Sequence, residues 1–186
     1  DVYFPVYYIE PYLGNEQALG FDLYSTELRK KTIGYAIEEN ETVMTSPMDL
    51  VQGGRGVLLF RPLWKTQLIS SREVLGLVLG VFKTKNMFSY LSEIIGDDLG
   101  VYIEDITDNK AQFIYSSLPK VTDSQSLNDN YLRDNIYSTK RKIKILNRFW
   151  RVTLYSSTGE VTKTNSWFVW PLFFGILFLS LFFVTL

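Results

Sequence analysis

The last twenty residues of the chain, Trp167 to Leu186, contain no charged residue and consist largely of Phe, Leu, Val and Trp. A helix rises about 1.5 Å per residue, so this segment would reach about 30 Å, the thickness of the hydrocarbon core of a bilayer. Pro171 and Gly175 are compatible with such a helix, because membrane helices tolerate these residues better than soluble helices do. A buried core helix is the alternative, but a helix that is apolar on every side rarely finds a core at a chain terminus. The sequence therefore predicts a transmembrane helix, with Trp167 and Trp170 at a membrane interface.

The chain lacks the residue types on which much catalysis and metal binding depend. Its 186 residues include neither histidine nor cysteine. Disulfides, thiol nucleophiles, metal thiolates, the usual zinc ligand and the Ser-His-Asp triad are therefore excluded. With 19 basic and 20 acidic residues the net charge is close to zero, so no overall field favours nucleic acid. We expect no catalytic residue, no metal site, no cofactor and no nucleic-acid partner.

The first half of the chain combines strand patterns with one helical pattern. Ser25 can cap a helix over residues 26–39, in which apolar residues recur at helical spacing and Arg29 is among the charged residues that face water. Gly53 and Gly54 supply a tight turn before the strand that begins at Gly56. The predicted strands of this half are Tyr3–Glu10, Thr42–Ser46, Gly56–Leu63 and Val74–Lys83, and Pro11–Gly20 is a predicted loop.

The second half repeats this order of helix and antiparallel strands. Asn86 can cap a short helix over Met87 to Ile95, and Asp108-Asn109 is typical of a hairpin turn. The basic cluster Lys140 to Lys144 is interrupted by Ile143, so we interpret it as the solvated face of a strand. The predicted strands of this half are Leu99–Asp105, Ala111–Ser116 and Lys142–Tyr155, and Lys120–Asn135 is a predicted loop with a short helix.

These elements predict an α+β fold with two small lobes, each with an antiparallel sheet partly covered by helix and loop. We expect a membrane-distal lobe over residues 1–85, a membrane-proximal lobe over residues 86–166 and the membrane helix over residues 167–186. Asp1 opens the chain without an initiator Met or a signal peptide, which indicates a segment of a longer protein.

Several ordered motifs carry a family resemblance. They are YFPVYYIEP from Tyr3, Gly14-Asn15, ALGFDL from Ala18, Arg29, TSP at Thr45–Pro47, Gln52, RPLW at Arg61–Trp64, Ser71-Arg72-Glu73 and the strand VLGLVLGVF. In this order they resemble the CHASE domain, a family of extracytoplasmic sensory domains of histidine kinases and nucleotide cyclases that includes the plant cytokinin receptors. The resemblance spans Tyr3 to Leu91, and residues 95–166 add no motif of their own.

The resemblance implies two PAS-like lobes between a long stalk helix and a second membrane helix, with the ligand in the distal lobe. Asp22 matches, by its spacing to TSP, the aspartate with which plant receptors hydrogen-bond the adenine ring of cytokinins. Met44 matches a position whose backbone groups complete that contact, and Thr45 follows it in the same motif. The chain departs from the plant pattern at Leu23-Tyr24 and around Arg61. The implied ligand is therefore a small polar or aromatic molecule, of which an adenine-like compound is one example.

Physical arguments add two basic residues to this candidate site. Arg61 lies in the apolar run VLLFRPLW, and a buried cation there needs a partner, which is Asp22, Glu10 or an anionic ligand. We expect Asp22 and Arg61 to line one cavity. We expect Arg29 to have a structural role and to support Asp22. The alternative for Asp22 is that its carboxylate accepts backbone N–H groups at the start of the helix.

Tyr7 and Asn15 complete the set of candidate ligand-binding residues. Tyr7 shares a strand face with Tyr3, where core packing is the alternative to ligand contact. Asn15 could equally shape its own loop through a side-chain hydrogen bond.

The sequence as a whole predicts the sensory module of a bacterial inner-membrane receptor that faces the periplasm. We expect a ligand in the distal lobe of a homodimer to shift the membrane helices and to change a cytoplasmic histidine kinase or diguanylate cyclase. One rival is a periplasmic protein-interaction module, in which the edge strand Tyr3–Glu10 accepts a partner strand. The other is a membrane-anchored extracytoplasmic hydrolase, against which the missing His and Cys and the lack of a spaced carboxylate pair argue.

Overall fold

The computed structural model describes residues 3–65, 73–95, 99–117 and 138–156. Within these ranges the chain forms two antiparallel sheets with few helices, which confirms the predicted mix of helix and antiparallel sheet. None of the helices within these ranges combines the length and the apolarity that spanning a bilayer requires. The predicted membrane helix Trp167–Leu186 and the predicted loop Lys120–Asn135 lie outside the described residues.

Strand β3, Arg55–Trp64, is the centre of the first sheet. It pairs along one edge with β4, Val74–Lys83, and along the other with two short strands, β1 (Val43–Met44) and β2 (Met48–Asp49). The predicted glycine turn before β3 is confirmed, because Gly53 and Gly54 take φ values of 77° and 82° that glycine allows at little cost.

Helix α1, Glu27–Glu39, packs against β3. Its N-cap is Thr26 and not the predicted Ser25, since the hydroxyl of Thr26 accepts the backbone N–H of Arg29 at 3.5 Å. The helix ends at Asn40, whose φ of 55° is typical of a left-handed C-cap. The prediction that Arg29 faces water is wrong, because the buried face consists of Arg29, Thr32, Ile33 and Ala36.

The second sheet has the strand order β6-β5-β8-β7. The single strand predicted over Lys142–Tyr155 is wrong, because the chain reverses at Leu146, which has a φ of 53°. Strand β7 is exposed along almost its whole length, which confirms that Lys140–Lys144 is a solvated strand face. The strands of this sheet are β5 (Leu99–Asp105), β6 (Gln112–Ser116), β7 (Ser138–Ile145) and β8 (Arg148–Ser156).

Helix α2, Thr84–Ile95, follows β4 without a loop and leads to the second sheet. Its predicted start at Met87 with an Asn86 cap is wrong. The hydroxyl of Thr84 donates to the backbone carbonyl of Arg55 at 3.2 Å, so the helix begins while the chain is still bonded to β3. The predicted lobe boundary between residues 85 and 86 falls inside α2, and the division into two lobes stays a prediction.

The two faces of β3 contribute to two different hydrophobic cores, because successive side chains of a strand point to opposite faces. Leu58 and Phe60 lie in the first core, under α1. Val57 lies in the second core, beneath the second sheet and α2. The first core also contains Leu23, Ile33, Ala36, Val43 and Leu50, and the second contains Met44, Val101, Ile103, Ile114 and Trp150.

The side chain of Asn147 joins the second sheet to the first. Its amide nitrogen donates to the carbonyl of Met44 at 3.0 Å, and its amide oxygen accepts the Met44 N–H at 2.8 Å. One amide side chain in the β7–β8 turn thus satisfies both backbone groups of a residue on β1.

Asn147→Ala should destabilise the protein, because it removes both partners of the Met44 backbone. An unpaired buried polar group costs about 1 to 3 kcal/mol, so we expect the free energy of unfolding to fall by about 2 to 4 kcal/mol in urea denaturation. Asn109→Ala, in the exposed β5–β6 turn, is the matched control and should change it by less than about 0.5 kcal/mol. Equal effects of the two variants would show that the Asn147 amide does not hold the sheets together.

A buried ion-pair cluster fixes the β5–β6 turn to β8. Arg148 donates through Nε to Asp105 at 2.7 Å and through a second nitrogen to Asp108 at 2.8 Å. Burial by itself would lower the pKa of the Arg148 guanidinium, but the hydrogen bonds and charges of the two carboxylates outweigh it and raise the pKa. Here the fold pairs a buried cation with two anions of its own.

Candidate functional site: a cleft beside strand β4

A cleft of about 1360 Å³ lies along the outer edge of the first sheet. One wall is the extended segment 3–11, and the other is β4 with the first residues of α2. The lining is mainly aliphatic and aromatic, and its polar side chains apart from tyrosines are Glu10, Asn15, Gln52, Lys83 and Asn86. A concave and largely apolar surface with a few polar groups is the usual form of a small-molecule site, and this volume exceeds the range of about 300 to 1,000 Å³ of typical sites.

The first wall is extended but is not the strand predicted over Tyr3–Glu10. It makes a single bridge, Pro5 to Asp22, and the chain after Gly20 turns into a short 3-10 helix, Leu23–Ser25, too soon to form a longer ladder. Hydrogen bonds between backbone groups hold the segment on both sides of that bridge. They run from Val6 to Phe21 at 3.0 Å, from Gly20 to Val6 at 2.8 Å and from Leu23 to Phe4 at 2.8 Å.

Asp22 holds this wall in place. One oxygen of its carboxylate accepts the N–H of Phe4 at 3.0 Å and the N–H of Tyr24 at 2.9 Å. The carboxylate is therefore the cap of the short 3-10 helix and at the same time the anchor of the N-terminal segment. Asp22 and Arg61 line neither the cleft nor the smaller cavity beside Arg29, and the expectation that they share a cavity stays a prediction.

The predicted loop Pro11–Gly20 contains a short 3-10 helix, Glu16–Ala18, and its own side chains hold it. The amide nitrogen of Asn15 donates to the carbonyl of Pro11 at 2.9 Å. The N–H of Gly14 donates to the Glu16 carboxylate at 2.9 Å and, with the Glu16 N–H, lowers the pKa of that exposed group. Asn15 thus shapes its own loop and also lines the cleft, and its ligand-binding role stays a prediction.

The second wall is a strand with one free edge among the described strands, since β4 pairs there with β3 alone. Alternate residues of β4 pack against the first core, namely Leu77, Leu79 and Val81. Leu75, Val78 and Phe82 are exposed large apolar residues on the same wall. Sequence reasoning predicted β4 as a strand but missed its place in the site. The signal was present in VLGLVLGVF, which is apolar on both faces although a strand with one solvated face alternates.

Tyr7 is the most exposed aromatic residue of the first wall, with 93% of its surface accessible, so the core-packing alternative for it is wrong. The hydroxyls of its neighbours are engaged. Tyr3 donates to the carbonyl of Gly20 at 2.9 Å, and Tyr8 donates to Glu10 at 3.2 Å. Of the residues predicted to bind ligand, Tyr7 and Asn15 line the cleft.

The TSP segment lies elsewhere in the fold. Thr45 is 1% exposed, and its hydroxyl accepts the N–H of Leu58 at 3.0 Å while its own N–H donates to the Leu58 carbonyl. A side-chain oxygen therefore replaces a backbone acceptor in the sheet, which explains why β1 is shorter than the predicted strand. The backbone groups of Met44, predicted to contact ligand, are bonded to Asn147. The ligand-binding roles of Met44, Thr45, Asp22 and Arg61 stay predictions.

Arg61 is exposed, so the prediction of a buried cation in an apolar strand is wrong. It donates to the carbonyl of Asn40 at 2.8 Å. Trp64, on the same strand, donates through its indole nitrogen to the Asn40 side chain at 2.6 Å. A cation beside the last carbonyls of a helix is favourable, and Arg61 therefore stabilises the C-terminal end of α1.

Arg29 on α1 is a buried cation, with 5% of its surface exposed. Its guanidinium lies 4.8 Å from the centre of the Phe21 ring, and burial lowers its pKa. The expectation that it supports Asp22 directly is not met, because the Asp22 carboxylate bonds to backbone groups. Arg29 lines a second, smaller cavity of about 30 Å³ that shares Val6, Ala18, Leu23, Gln52, Leu79 and Val81 with the cleft.

The family model of the CHASE domain matches residues 1–115 of this chain. The chain belongs to the CHASE domain family. The match confirms the resemblance carried by the motifs and extends it through α2, β5 and most of β6. CHASE domains are extracytoplasmic sensory domains without catalytic activity, and this chain is accordingly such a domain.

The CHASE domain described here is also similar to a solved structure, an extracellular ligand binding receptor from Desulfohalobium retbaense DSM5692. The TM-score is 0.58 at 13% sequence identity, over 83% of this chain and 29% of the receptor chain. At this identity the likeness concerns the fold alone. No curated protein matches the sequence.

Asp22→Ala should release the first wall of the cleft, because the N–H groups of Phe4 and Tyr24 lose their acceptor. We expect the free energy of unfolding to fall by about 1 to 3 kcal/mol, with faster amide hydrogen exchange over residues 4–9. Asp22→Asn is the control, since its amide keeps an oxygen acceptor. It should preserve most of the free energy of unfolding and most of the protection of residues 4–9 from exchange. Slow exchange over residues 4–9 in Asp22→Ala would show that the carboxylate does not anchor the wall.

Proposed function

We propose that this CHASE domain senses a small polar or aromatic molecule in the cleft beside β4 and belongs to a bacterial inner-membrane receptor. In this proposal residues 1–85 form the membrane-distal lobe and residues 86–166 the membrane-proximal lobe, and Trp167–Leu186 spans the membrane. The receptor acts as a homodimer, and its output is a cytoplasmic histidine kinase or diguanylate cyclase.

The cleft is the observation that carries the proposal. It combines about 1360 Å³ of largely apolar space with the polar groups of Asn15, Gln52 and Asn86. Tyr7, which is almost fully exposed, adds an aromatic ring that can stack on a ligand. The wall that carries Tyr7 is held by the Asp22 carboxylate and by backbone hydrogen bonds on both sides of the Pro5–Asp22 bridge, so it offers a ligand a defined surface.

The other wall supports the signalling part of the proposal. Strand β4 continues directly into α2, and Phe88, Leu91 and Ile95 of α2 pack against the second core. A ligand that displaces β4 therefore acts on a helix that already contacts the membrane-proximal sheet. Packed elements that move as rigid units are a common route by which a binding event reaches a distant helix.

Gly76→Trp tests whether the cleft is the ligand site. Gly76 lines the cleft, and a Cβ there would meet no atom within 4 Å, so an indole can occupy the space without forcing the core apart. We expect compounds that raise the melting temperature of the wild-type chain in a thermal-shift screen to lose at least tenfold in affinity. Isothermal titration calorimetry measures the change.

Gly34→Trp is the matched control for this experiment. Gly34 is exposed on α1 with the same open surroundings, and it does not line the cleft. It should bind the same compounds with unchanged affinity. Equal binding by Gly76→Trp would place the ligand outside the cleft and overturn the proposed site.

The orientation of the chain has its own test. We expect a periplasm-specific reporter inserted near Asn128 of the membrane-embedded protein to be active and a cytoplasm-specific reporter at the same position to be silent. The reason is the charge-free run Trp167–Leu186, which has the length of a membrane helix. Activity of the cytoplasmic reporter would reverse the proposed topology.

Capture of an extended peptide is a second candidate function. The observation in its favour is the free edge of β4 among the described strands, with Leu75 and Val78 exposed along it. Peptides bind such edges through their backbone groups. This candidate would be favoured if a peptide binds the wild-type chain, Gly76→Trp blocks that binding, and no small molecule binds in the screen.

A further inference from the structure

The guanidinium of Arg29 is buried without a counter-charge among the described residues. It makes one hydrogen bond, from a terminal nitrogen to the Thr26 hydroxyl at 3.5 Å, which is the limit of such a bond. No carboxylate in the described ranges lies within 4 Å of it, since the ion pairs there involve Lys65, Arg148 and Arg151. Buried charges in proteins are normally paired, because removing a lone charge from water costs a large free energy.

Arg148 shows how the same chain treats a buried arginine with a structural role. As a residue Arg148 is about as buried as Arg29, and its guanidinium bonds to two carboxylates that outweigh the cost of burial. Arg29 has an aromatic ring in place of those carboxylates, and a ring carries no formal negative charge to balance the buried cation. Its site is therefore incomplete as a purely structural arrangement.

Arg29 lies beside space that can hold an anion. The small cavity it lines has a volume of about 30 Å³, enough for about two water molecules and hence for the two oxygens of a carboxylate. Its other walls are apolar except for Gln52, and six of its residues also line the cleft. A ligand can therefore place a charged head in the small cavity and an apolar body in the cleft.

We propose that Arg29 binds the carboxylate of a small organic acid whose apolar body occupies the cleft. This inference rests on the proposed function and narrows its ligand class to monoanions. The fork of an arginine matches both oxygens of a carboxylate, and bidentate pairs of this kind are among the stronger hydrogen bonds in proteins. A phosphate has more oxygens and a higher charge than a carboxylate. It is therefore too large for the small cavity, and one guanidinium does not balance its charge.

The test compares acids with their neutral amides on the full wild-type chain. The probes are butyrate, benzoate and phenylacetate, each beside its amide, with inorganic phosphate and sodium chloride as reference anions. We expect at least one carboxylate to raise the melting temperature and to bind at least tenfold more tightly than its amide in isothermal titration calorimetry. Phosphate and chloride at the same concentration should cause no comparable rise.

Variants then locate the carboxylate. Arg29→Met should abolish the preference for acid over amide and leave the melting temperature of the empty protein unchanged or higher, because it removes an unpaired buried charge. Arg29→Lys keeps the charge without the fork and should bind the acid with intermediate affinity. Arg141→Met, on the exposed face of β7, is the matched control and should bind like the wild type.

Each outcome decides the proposal. It is overturned if no carboxylate binds, if acid and amide bind equally, if phosphate binds more tightly than the acids, or if Arg29→Met keeps the preference. Should Arg29→Met fail to fold, the wild-type comparison and Arg29→Lys still decide. If acid and amide bind equally and Gly76→Trp abolishes the binding of both, the proposed function stands and only the proposed carboxylate contact of Arg29 is lost. The failure of this inference is therefore distinguishable from the failure of the proposed function.

Discussion

The alternation of side chains along β3 is the constraint on which the rest of the structure depends. Its ten residues carry one hydrophobic core on each face, with Leu58 and Phe60 on one side and Val57 on the other. A shift of one residue in its pairing with β4 would exchange the two sets and empty both cores. The long register from Gly56 to Trp64 prevents such a shift, because it would break most of the hydrogen bonds of this ladder.

This central strand also explains why the two sheets are mechanically connected. The core beneath the second sheet includes Met44 and Val57 from the first, and Asn147 reaches across to bond both backbone groups of Met44. The cleft has one wall on β4, at the edge of the first sheet, and one wall on the segment 3–11, which the Asp22 carboxylate and three backbone hydrogen bonds hold in place. Strand β4 continues directly into α2, so this wall of the cleft is joined to a helix that packs against the second core.

Three arginines of this domain show how surroundings decide the role of one residue type. Arg61 is exposed and stabilises a helix end, whereas Arg148 is buried and paired with two carboxylates. Arg29 is buried beside an aromatic ring and a small cavity. Sequence context suggested the reverse for two of them, since Arg61 stands in an apolar run and Arg29 in a run of charged residues. The direction in which a residue faces depends on the register of its element, and the register is set by tertiary packing.

The sequence by itself determined the family and the larger elements of this protein. The motifs from Tyr3 to Leu91 predicted a CHASE domain, and strong local patterns predicted β3, β4, β5 and most of α1, because length and periodicity are local properties.

Tertiary structure alone decided the segments whose sequence pattern is weak. The segment 3–11 has no long partner strand and forms only one β-bridge. The hydroxyl of Thr45 takes the place of a backbone acceptor in the sheet. A turn at Leu146 divides one predicted strand into two. Tertiary structure also brought together β4 and the loop at Asn15 around the cleft, and placed Arg29 of α1 in the adjoining small cavity, although these segments are far apart in the chain. Such a site is a product of packing between distant segments, and no local pattern records which of their side chains will meet.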